Sequence, residues 1–469
     1  MMKRIIYVSL LFAILCTPVF AQEKTEKAAN KEAKKEAAKL HFNQHFKIYG
    51  FVRNYFSFDT RECKAGTGDL FNYMPLDNNW NYKTDADAAA AGVAREDMNA
   101  QTSFRFLSLT TRVGIDIMNY KVGKTEFGGK IEADFYAGLT GVTGTAQLRL
   151  RQAYMTLAWD SLRMNDKSMA RVQLLMGQAW HPLAADLADV INLNVGTPFG
   201  PFSRTPQMRL DARLGDLFTI TAAAIWQMQY TSAGPDGPSA NYIKYSATPE
   251  GYLGLNFHHQ CGILLRAGAD VLSISPRHLA TVKDANGNDV QIKVNDRITT
   301  ASPFLYLQYK HGEFTLKAKT LFAEAGEHVN LNGGYGVKRI NEDGSWEYTP
   351  TRNSSSWITL TYGGKVGEKS KLQGILFGGY VRNFGTKEPL VDTSKEHFYF
   401  SKNSFTNLNR LWRVSPTLLW TIWKFQLGLE YEVTSAQYGE NLKASNGLAE
   451  DNLHWVTNHK IQLMTKFNF

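Results

Sequence analysis

Residues 126–139 read EFGGKIEADFYAGL and alternate between two kinds of side chain. One face of this segment carries apolar or small residues: Phe127, Gly129, Ile131, Ala133, Phe135, Ala137 and Leu139. The other face carries Glu126, Lys130, Glu132, Asp134 and Tyr136. Because successive side chains of a β-strand point to opposite sides, this period of two predicts a strand with one apolar and one polar face.

The same alternation recurs to the last residue. It defines sixteen segments: 45–59, 103–118, 126–139, 146–159, 170–180, 205–214, 217–230, 249–257, 261–273, 297–310, 312–324, 354–366, 371–384, 408–422, 424–436 and 454–469. Short turns such as Gly215-Asp216 alternate with long polar connections: 60–102, 181–204, 274–296, 325–353 and 385–407. Backbone amides in hydrocarbon must all be paired, and a sheet achieves this by closing on itself. The sequence therefore predicts a 16-stranded antiparallel transmembrane β-barrel with long extracellular loops and short periplasmic turns.

The composition favours this fold over its alternatives. The chain has 469 residues, of which 12% are aromatic and 20% charged, so it is not intrinsically disordered. Beyond the first twenty-odd residues no apolar run is long enough for a transmembrane helix. Two or three soluble β-sandwiches would need linkers between them, and the sequence shows none.

The amino terminus indicates export. Lys3 and Arg4 precede the apolar stretch IIYVSLLFAILC, and the Val19-Phe20-Ala21 site predicts a signal peptide over 1–21. Residues 22–44 are predicted to be a periplasmic spacer, rich in Lys, Ala and Glu and partly helical. Alternatives for residues 22–40 are a short oligomerising helix or a basic arm that contacts anionic cell-wall polymer. The barrel occupies 45–469 and is predicted to lie in the outer membrane of a Gram-negative cell, with Cys63 and Cys261 free.

The inward faces decide what such a barrel does. Sixteen strands enclose a water-filled channel, and the loop 181–204 is unusually apolar, so we expect it to fold into the lumen as a constriction. A subunit-contact loop and an outer lid are the alternatives. The loop carries Asp186 and Asp189, and the predicted inward basic residues are Arg53, Arg112, Lys130, Arg149, Arg151, Arg209 and Arg213. These groups predict a channel that attracts anions. If they instead pair with Asp116, Glu132, Asp134 and Asp211, the lumen would be nearly neutral.

The run RLRQAYM at 149–155, the run LLMGQAWHPL at 174–183 and the apolar loop that follows resemble the DcaP-like porins. The Arg149/Arg151 pair and the Gly177–Trp180 segment carry the resemblance. It implies a homotrimeric outer-membrane channel for dicarboxylates and similar anions.

Signals for an enzyme are weak. The sequence has no His-Glu-x-x-His and no Gly-x-Ser-x-Gly motif, and its histidines are scattered, so we expect no catalytic residue, no metal site and no cofactor. Export and strand-alternating charge also exclude a nucleic-acid partner. The predicted function is passive diffusion of small hydrophilic, preferentially anionic solutes, with outer-membrane lipid as the other partner. The alternatives are a surface-exposed binding or adhesion barrel with a closed lumen, and a barrel-bound lipid hydrolase.

Overall fold

A computed structural model describes residues 42–66, 71–108, 110–136, 147–164, 167–401, 404 and 406–469. Sixteen strands form one sheet, numbered here in chain order: β1 (Phe46–Asp59), β2 (Ser103–Leu107 and Arg112–Val122), β3 (Thr125–Tyr136), β4 (Gln147–Met164), β5 (Lys167–Trp180), β6 (Arg204–Leu214), β7 (Phe218–Ile225), β8 (Glu250–His258), β9 (Ile263–Ile274), β10 (Ile298–His311), β11 (Phe314–Glu324), β12 (Trp346–Tyr362), β13 (Ser370–Thr386), β14 (Leu408–Ile422), β15 (Phe425–Leu442) and β16 (Ala449–Asn468). The predicted signal peptide 1–21 and the spacer up to residue 41 lie outside the described residues.

The sheet closes on itself. Strand β1 pairs antiparallel with β16 from Phe51 opposite Asn468 to Asp59 opposite Lys460. Along its other edge β1 pairs with both parts of β2. Every other barrel strand pairs antiparallel with its sequence neighbours, so the sheet has no free edge. The predicted 16-stranded antiparallel β-barrel is confirmed.

The two faces of the barrel reverse the burial pattern of a soluble protein. Along β15, Leu429 and Tyr431 are 50% and 41% exposed, whereas Glu430 and Glu432 between them are 1% and 2% exposed. The apolar outer face has the composition expected of a surface that contacts lipid, and the polar face points into the lumen. The exposed aromatic rings of Trp226 and Trp420 lie at strand ends, as in interfacial girdles, whereas exposed Trp455 lies six residues after the start of β16.

Short turns and longer connections lie at opposite ends of the barrel. One end carries the turns at 123–124, 215–217, 259–262, 312–313, 363–369 and 423–424. The other end carries the connections 60–102, 181–203, 226–249, 275–297, 325–345 and 387–407, which include two short helices, Asp85–Ala90 and Asn241–Ser246. They also include the hairpins of Cys63–Gly66 with Phe71–Pro75 and of Leu279–Lys283 with Asp289–Lys293, and the strands Gly334–Ile340 and Phe398–Phe400. Within the described part of the chain, no helix is long and apolar enough to cross a membrane.

Several strands differ from their predicted bounds by five residues or more, and the structure shows the cause of two of these differences and of one interruption. The strand predicted over 217–230 ends at Ile225, because the chain beyond it turns into the lumen, where Gln227 is buried and hydrogen bonds to Ser232. The strand predicted from 354 starts at Trp346, because its first residues pair with Gly334–Ile340. Strand β2 is interrupted near Thr110, which has a left-handed backbone (φ 74°) and accepts a hydrogen bond from the Arg53 side chain. The cysteines Cys63 and Cys261 are both free, as predicted.

The outer face gives a direct test of membrane insertion. Leu376→Arg on β13 places a charge on the exposed apolar face, where Leu376 is 46% exposed. We expect the free energy of unfolding to fall by about 2–4 kcal/mol in lipid vesicles, measured by urea titration. Gln373→Arg is the control on the same strand, because Gln373 lines an internal cavity, and we expect a cost below about 1 kcal/mol. Equal costs at the two positions would contradict the assignment of the outer face.

Candidate functional site

The loop 181–203 folds into the barrel. Its first residues form a 3-10 turn, Pro182–Ala184, in which Leu183 is completely buried, and Phe199 near its end is completely buried as well. The Phe199 ring packs against Phe377 of β13 with the ring centroids 5.8 Å apart. Burial of these apolar side chains away from water is favourable, and the inner surface of the barrel is where they are buried. The expected inward fold of this loop therefore has an apolar driving force.

Acidic groups of the loop are bound to basic groups on β9 and β11. The Asp186 carboxylate lies 2.7 Å from an Arg266 guanidinium nitrogen, and Asp189 lies 2.6 Å from Lys317 Nζ. The ammonium of Lys319 donates to the Leu183 carbonyl. Both loop acids are therefore neutralised locally.

A second set of contacts holds the loop against β14, β15 and β1. The Ile191 amide donates to Glu430 Oε2 at 3.1 Å, and the Ile191 carbonyl accepts from Tyr55 Oη at 2.7 Å. Arg413 donates from Nη1 to the Thr197 carbonyl at 3.0 Å and from Nη2 to the Tyr73 carbonyl at 2.7 Å. This one buried guanidinium therefore holds the loops 181–203 and 60–102 to the wall.

The arginine pair that carries the sequence resemblance is paired with acids on β3. Arg151 Nε lies 2.7 Å from Glu132 Oε1, and its Nη1 lies 2.7 Å from Asp134 Oδ2. Arg149 Nε lies 2.9 Å from Asp134 Oδ1. The alternative pairing weighed from the sequence is therefore realised at these two arginines.

Three further cations surround one aromatic ring beside this pair. The charged groups of Arg53, Arg112 and Lys466 lie 4.8, 5.0 and 4.6 Å from the centroid of the Phe51 ring. Arg112 Nη1 approaches Glu132 at 3.6 Å, while the Arg53 guanidinium donates to the neutral Thr110 hydroxyl. The negative face of the aromatic ring attracts each cation and so offsets part of the repulsion between them. Without the ring, carboxylates would have to neutralise these charges. The wall therefore keeps an excess of positive charge.

Arg204 adds another buried cation. It is 2% exposed, and its guanidinium carbon lies 5.0 Å from the Trp180 ring centroid and 5.5 Å from that of Phe202. Its Nη1 has no hydrogen-bond partner among the described residues. We name the six basic groups and two acids of this region the arginine wall: Arg53, Arg112, Arg149, Arg151, Arg204 and Lys466 with Glu132 and Asp134.

The other predicted site residues lie outside the arginine wall. Lys130 Nζ pairs with Asp116 at 2.8 Å, and Arg209 Nε pairs with Asp211 at 2.9 Å. Arg213 is exposed at the short-turn end and pairs with Asp216 at 3.0 Å. Their predicted contribution to solute binding stays a prediction.

Among the described residues, two cavities lie against the loop. The smaller, about 100 Å³, lies between the arginine wall and the apolar loop residues Leu187, Leu193 and Val195. The larger, about 470 Å³, lies toward the short turns and is lined by Asp189, Lys317 and other polar groups. The loop thus presents apolar side chains, and not Asp186 or Asp189, to the arginine wall.

Sequence alternation missed several charged residues that matter here. Arg204 precedes the expected start of its strand by one residue, so the period of two did not assign it a face. Arg266 and Lys466 do occupy polar positions of their strands, but nothing local distinguishes them from other polar positions. Their importance comes from the loop and the rings that they contact.

No family model matches the sequence, and no curated protein matches it. The outer membrane channel DcaP of Acinetobacter baumannii has a similar structure, with a TM-score of 0.59 at 16% identity over 90% of this chain and 97% of that chain. The anion-selective porin from Comamonas acidovorans gives 0.47 at 10% identity, over 90% and 99%. OmpT of Vibrio cholerae gives 0.45 at 11%, over 90% and 97%. The predicted resemblance to DcaP-like porins is confirmed at the level of the fold.

Arg413 provides a test of how the loops are held. Arg413→Gln removes the guanidinium that donates to Thr197 and Tyr73 and leaves buried Glu432, 3.4 Å away, without a cation within ion-pair distance among the described residues. We expect the free energy of unfolding to fall by about 3–5 kcal/mol and hydrogen exchange to rise at residues 71–75 and 194–199. Arg410→Gln on the exposed face of β14 is the control, with a change within about 0.5 kcal/mol. Unchanged exchange in both loops would show that other contacts hold them.

Proposed function

We propose that the protein is a passive outer-membrane channel for small hydrophilic solutes and that it prefers anions. The observation that carries the proposal is the arginine wall, which has six basic groups and two acidic ones and of which Arg53, Arg112, Arg149 and Arg151 line the cavity next to loop 181–203. The closed barrel with its apolar outer face and the fold shared with the channel DcaP support the membrane location. No catalytic residue or cofactor takes part in the proposed function.

The loop 181–203 would form the constriction. It crosses from β5 to β15 and leaves a narrow space between its apolar face and the arginine wall. A guanidinium stays protonated at any physiological pH and binds carboxylate or phosphate through two hydrogen bonds. An anionic group would therefore contact the arginines while the rest of the solute passes the apolar side chains of the loop. This geometry favours small organic anions over cations.

Ion selectivity tests the anion preference. Reversal potentials in a planar bilayer under a salt gradient should show preferential passage of chloride over potassium. The double variant Arg53→Gln/Lys466→Gln removes two cations that lack carboxylate partners within ion-pair distance in the described structure, and each charge close to the ion path contributes on the order of 1 kcal/mol. We expect the permeability ratio to fall at least about fivefold.

The matched control for selectivity is Arg213→Gln. Arg213 is exposed and paired with Asp216 beside the short turn, so its removal should leave the ratio nearly unchanged. Cation preference in the unmodified protein would overturn the anion proposal, and equal effects of control and double variant would place the selectivity elsewhere.

A second candidate function is a surface-exposed binding barrel with a closed lumen. The observation that favours it is the apolar packing inside the barrel, where Leu183, Phe199 and Phe377 belong to one buried cluster. The same bilayer experiment separates the two functions, because a closed barrel gives no conductance steps.

We extend the proposal to a homotrimer, which the resemblance to DcaP-like porins implies, and to cell-wall contact through residues 22–40. Light scattering of the detergent-solubilised protein, corrected for bound detergent, would give three times the chain mass for a trimer. A single-chain mass would overturn the trimer without affecting the channel proposal.

A further inference from the structure

Four buried side chains from four separate segments meet where two loops contact the barrel wall. His181 begins the loop 181–203, Glu250 is the first residue of β8, Asp270 lies on β9, and His328 lies in the 3-10 turn of the loop 325–345. All four are at most 2% exposed. We call them the His–carboxylate cluster. Its members are up to 147 positions apart in the sequence, so no local spacing pattern could have predicted it.

The donor atoms of the cluster lie close together. His181 Nε2 is 2.5 Å from Glu250 Oε1 and 3.8 Å from Asp270 Oδ1. His328 Nε2 is 3.4 Å from Glu250 Oε1 and 3.5 Å from Asp270 Oδ2. One potential ligand atom from each of His181, Glu250 and Asp270 lies within 4.8 Å of the other two. One ion could therefore contact several of these groups at once.

The hydrogen bonds of the two rings give them different roles. His328 Nδ1 lies 3.1 Å from the Ala325 carbonyl, so it carries a proton and donates it there. Its Nε2 faces the two carboxylates, and a metal ion bound there would replace any proton on Nε2, with the ring in the orientation that metal-bound histidines adopt. His181 Nδ1 instead accepts from the Leu183 amide at 3.1 Å, so its Nε2 carries the proton and donates to Glu250 Oε1.

The cluster also contains buried atoms without partners. Glu250 Oε2, Asp270 Oδ1 and His328 Nε2 make no hydrogen bond among the described residues. Among the described residues, the imidazoles of His181 and His328 are the only basic groups within ion-pair distance of the two carboxylates. Two adjacent buried carboxylates are costly unless a cation compensates them. An imidazole nitrogen that can lose its proton and carboxylate oxygens without partners are the donors that a divalent cation needs.

We propose that Glu250, Asp270 and His328 bind one divalent transition-metal cation, for which Zn²⁺ is a suitable probe. Zinc is commonly held by imidazole nitrogen and carboxylate oxygen, with a further position for water. His181 is a positioning residue, because its Nε2–H fixes the Glu250 carboxylate. The ion would join the loop 325–345 to β8 and β9 beside the first residue of the loop 181–203. It would thereby stabilise both inward-folded loops.

Zinc content of the full-length wild-type protein is the primary test. The protein is refolded from urea into detergent with Zn²⁺ and desalted, because the buried site has to be filled as the loops pack. We expect one equivalent of zinc per chain, and crystals should show an anomalous peak at the zinc edge between Glu250, Asp270 and His328. No retained zinc, or a peak elsewhere alone, would overturn the proposal whether or not any variant folds.

Chelator competition on the variants that fold assigns the ligands. Asp270→Asn and His328→Gln should each bind zinc at least about tenfold more weakly than the wild type. His454→Gln is the matched control, because His454 on β16 forms another His–carboxylate pair, 2.6 Å from Asp77 Oδ1 in the connection 60–102, and neither segment contributes to the cluster. Equal affinity in all folded variants would overturn the assignment.

The positioning role of His181 has a separate readout. His181→Gln keeps an N–H donor for Glu250, whereas His181→Ala does not. We expect His181→Ala to weaken zinc binding about 10–100-fold and His181→Gln to recover part of the loss. If the two variants bind zinc equally, His181 does not act through Glu250.

Discussion

The antiparallel pairing of β1 with β16 is the contact on which the rest of the structure depends. In hydrocarbon an unpaired amide or carbonyl has no water to bind, so an open sheet would carry two costly edges. The register from Phe51–Asn468 to Asp59–Lys460 removes both edges. Closure also separates the two faces of every strand permanently, one toward lipid and one toward an enclosed volume. Charged side chains such as Lys460 and Glu432 become buried by this step.

Buried charges need opposite charges or hydrogen-bond partners, and residues of the loops provide many of these partners. The loop 181–203 brings Asp186 to Arg266, Asp189 to Lys317 and its own carbonyls to Arg413. Its apolar residues then pack on the rings of the wall. The arginine wall is the exception, because Arg53, Arg112 and Lys466 share the Phe51 ring, and among the described residues Arg53 and Lys466 have no carboxylate within ion-pair distance. A charge without an opposite charge nearby does not stabilise the fold. Beside a cavity, it is the group to which a solute of opposite charge could bind.

The strand pattern was predictable because its cause is local. Each residue's face follows from its position in a period of two, which is why most of the sixteen predicted segments agree with the strands to within a few residues. The errors came where tertiary contacts override the period. Strand β12 begins at Trp346 because it pairs with the hairpin partner Gly334–Ile340, and β2 breaks where Thr110 turns to accept from Arg53. The pairing of Arg149 and Arg151 with Asp134 was foreseen as an alternative, since all three lie on polar faces of neighbouring strands.

By itself, the sequence determined the strand number, the direction of each face and the end of the barrel on which each connection lies, because side-chain alternation and turn length are local properties. It also identified the apolar loop and the arginine pair on β4. The tertiary structure alone decided which charges remain uncompensated and which loop group meets which wall residue. Arg204, Lys466 and the His–carboxylate cluster owe their surroundings to closure and to the inward path of the loops, which bring together residues from separate parts of the sequence. Such contacts depend on distance in space, and a pattern of neighbours along the chain carries no information about it.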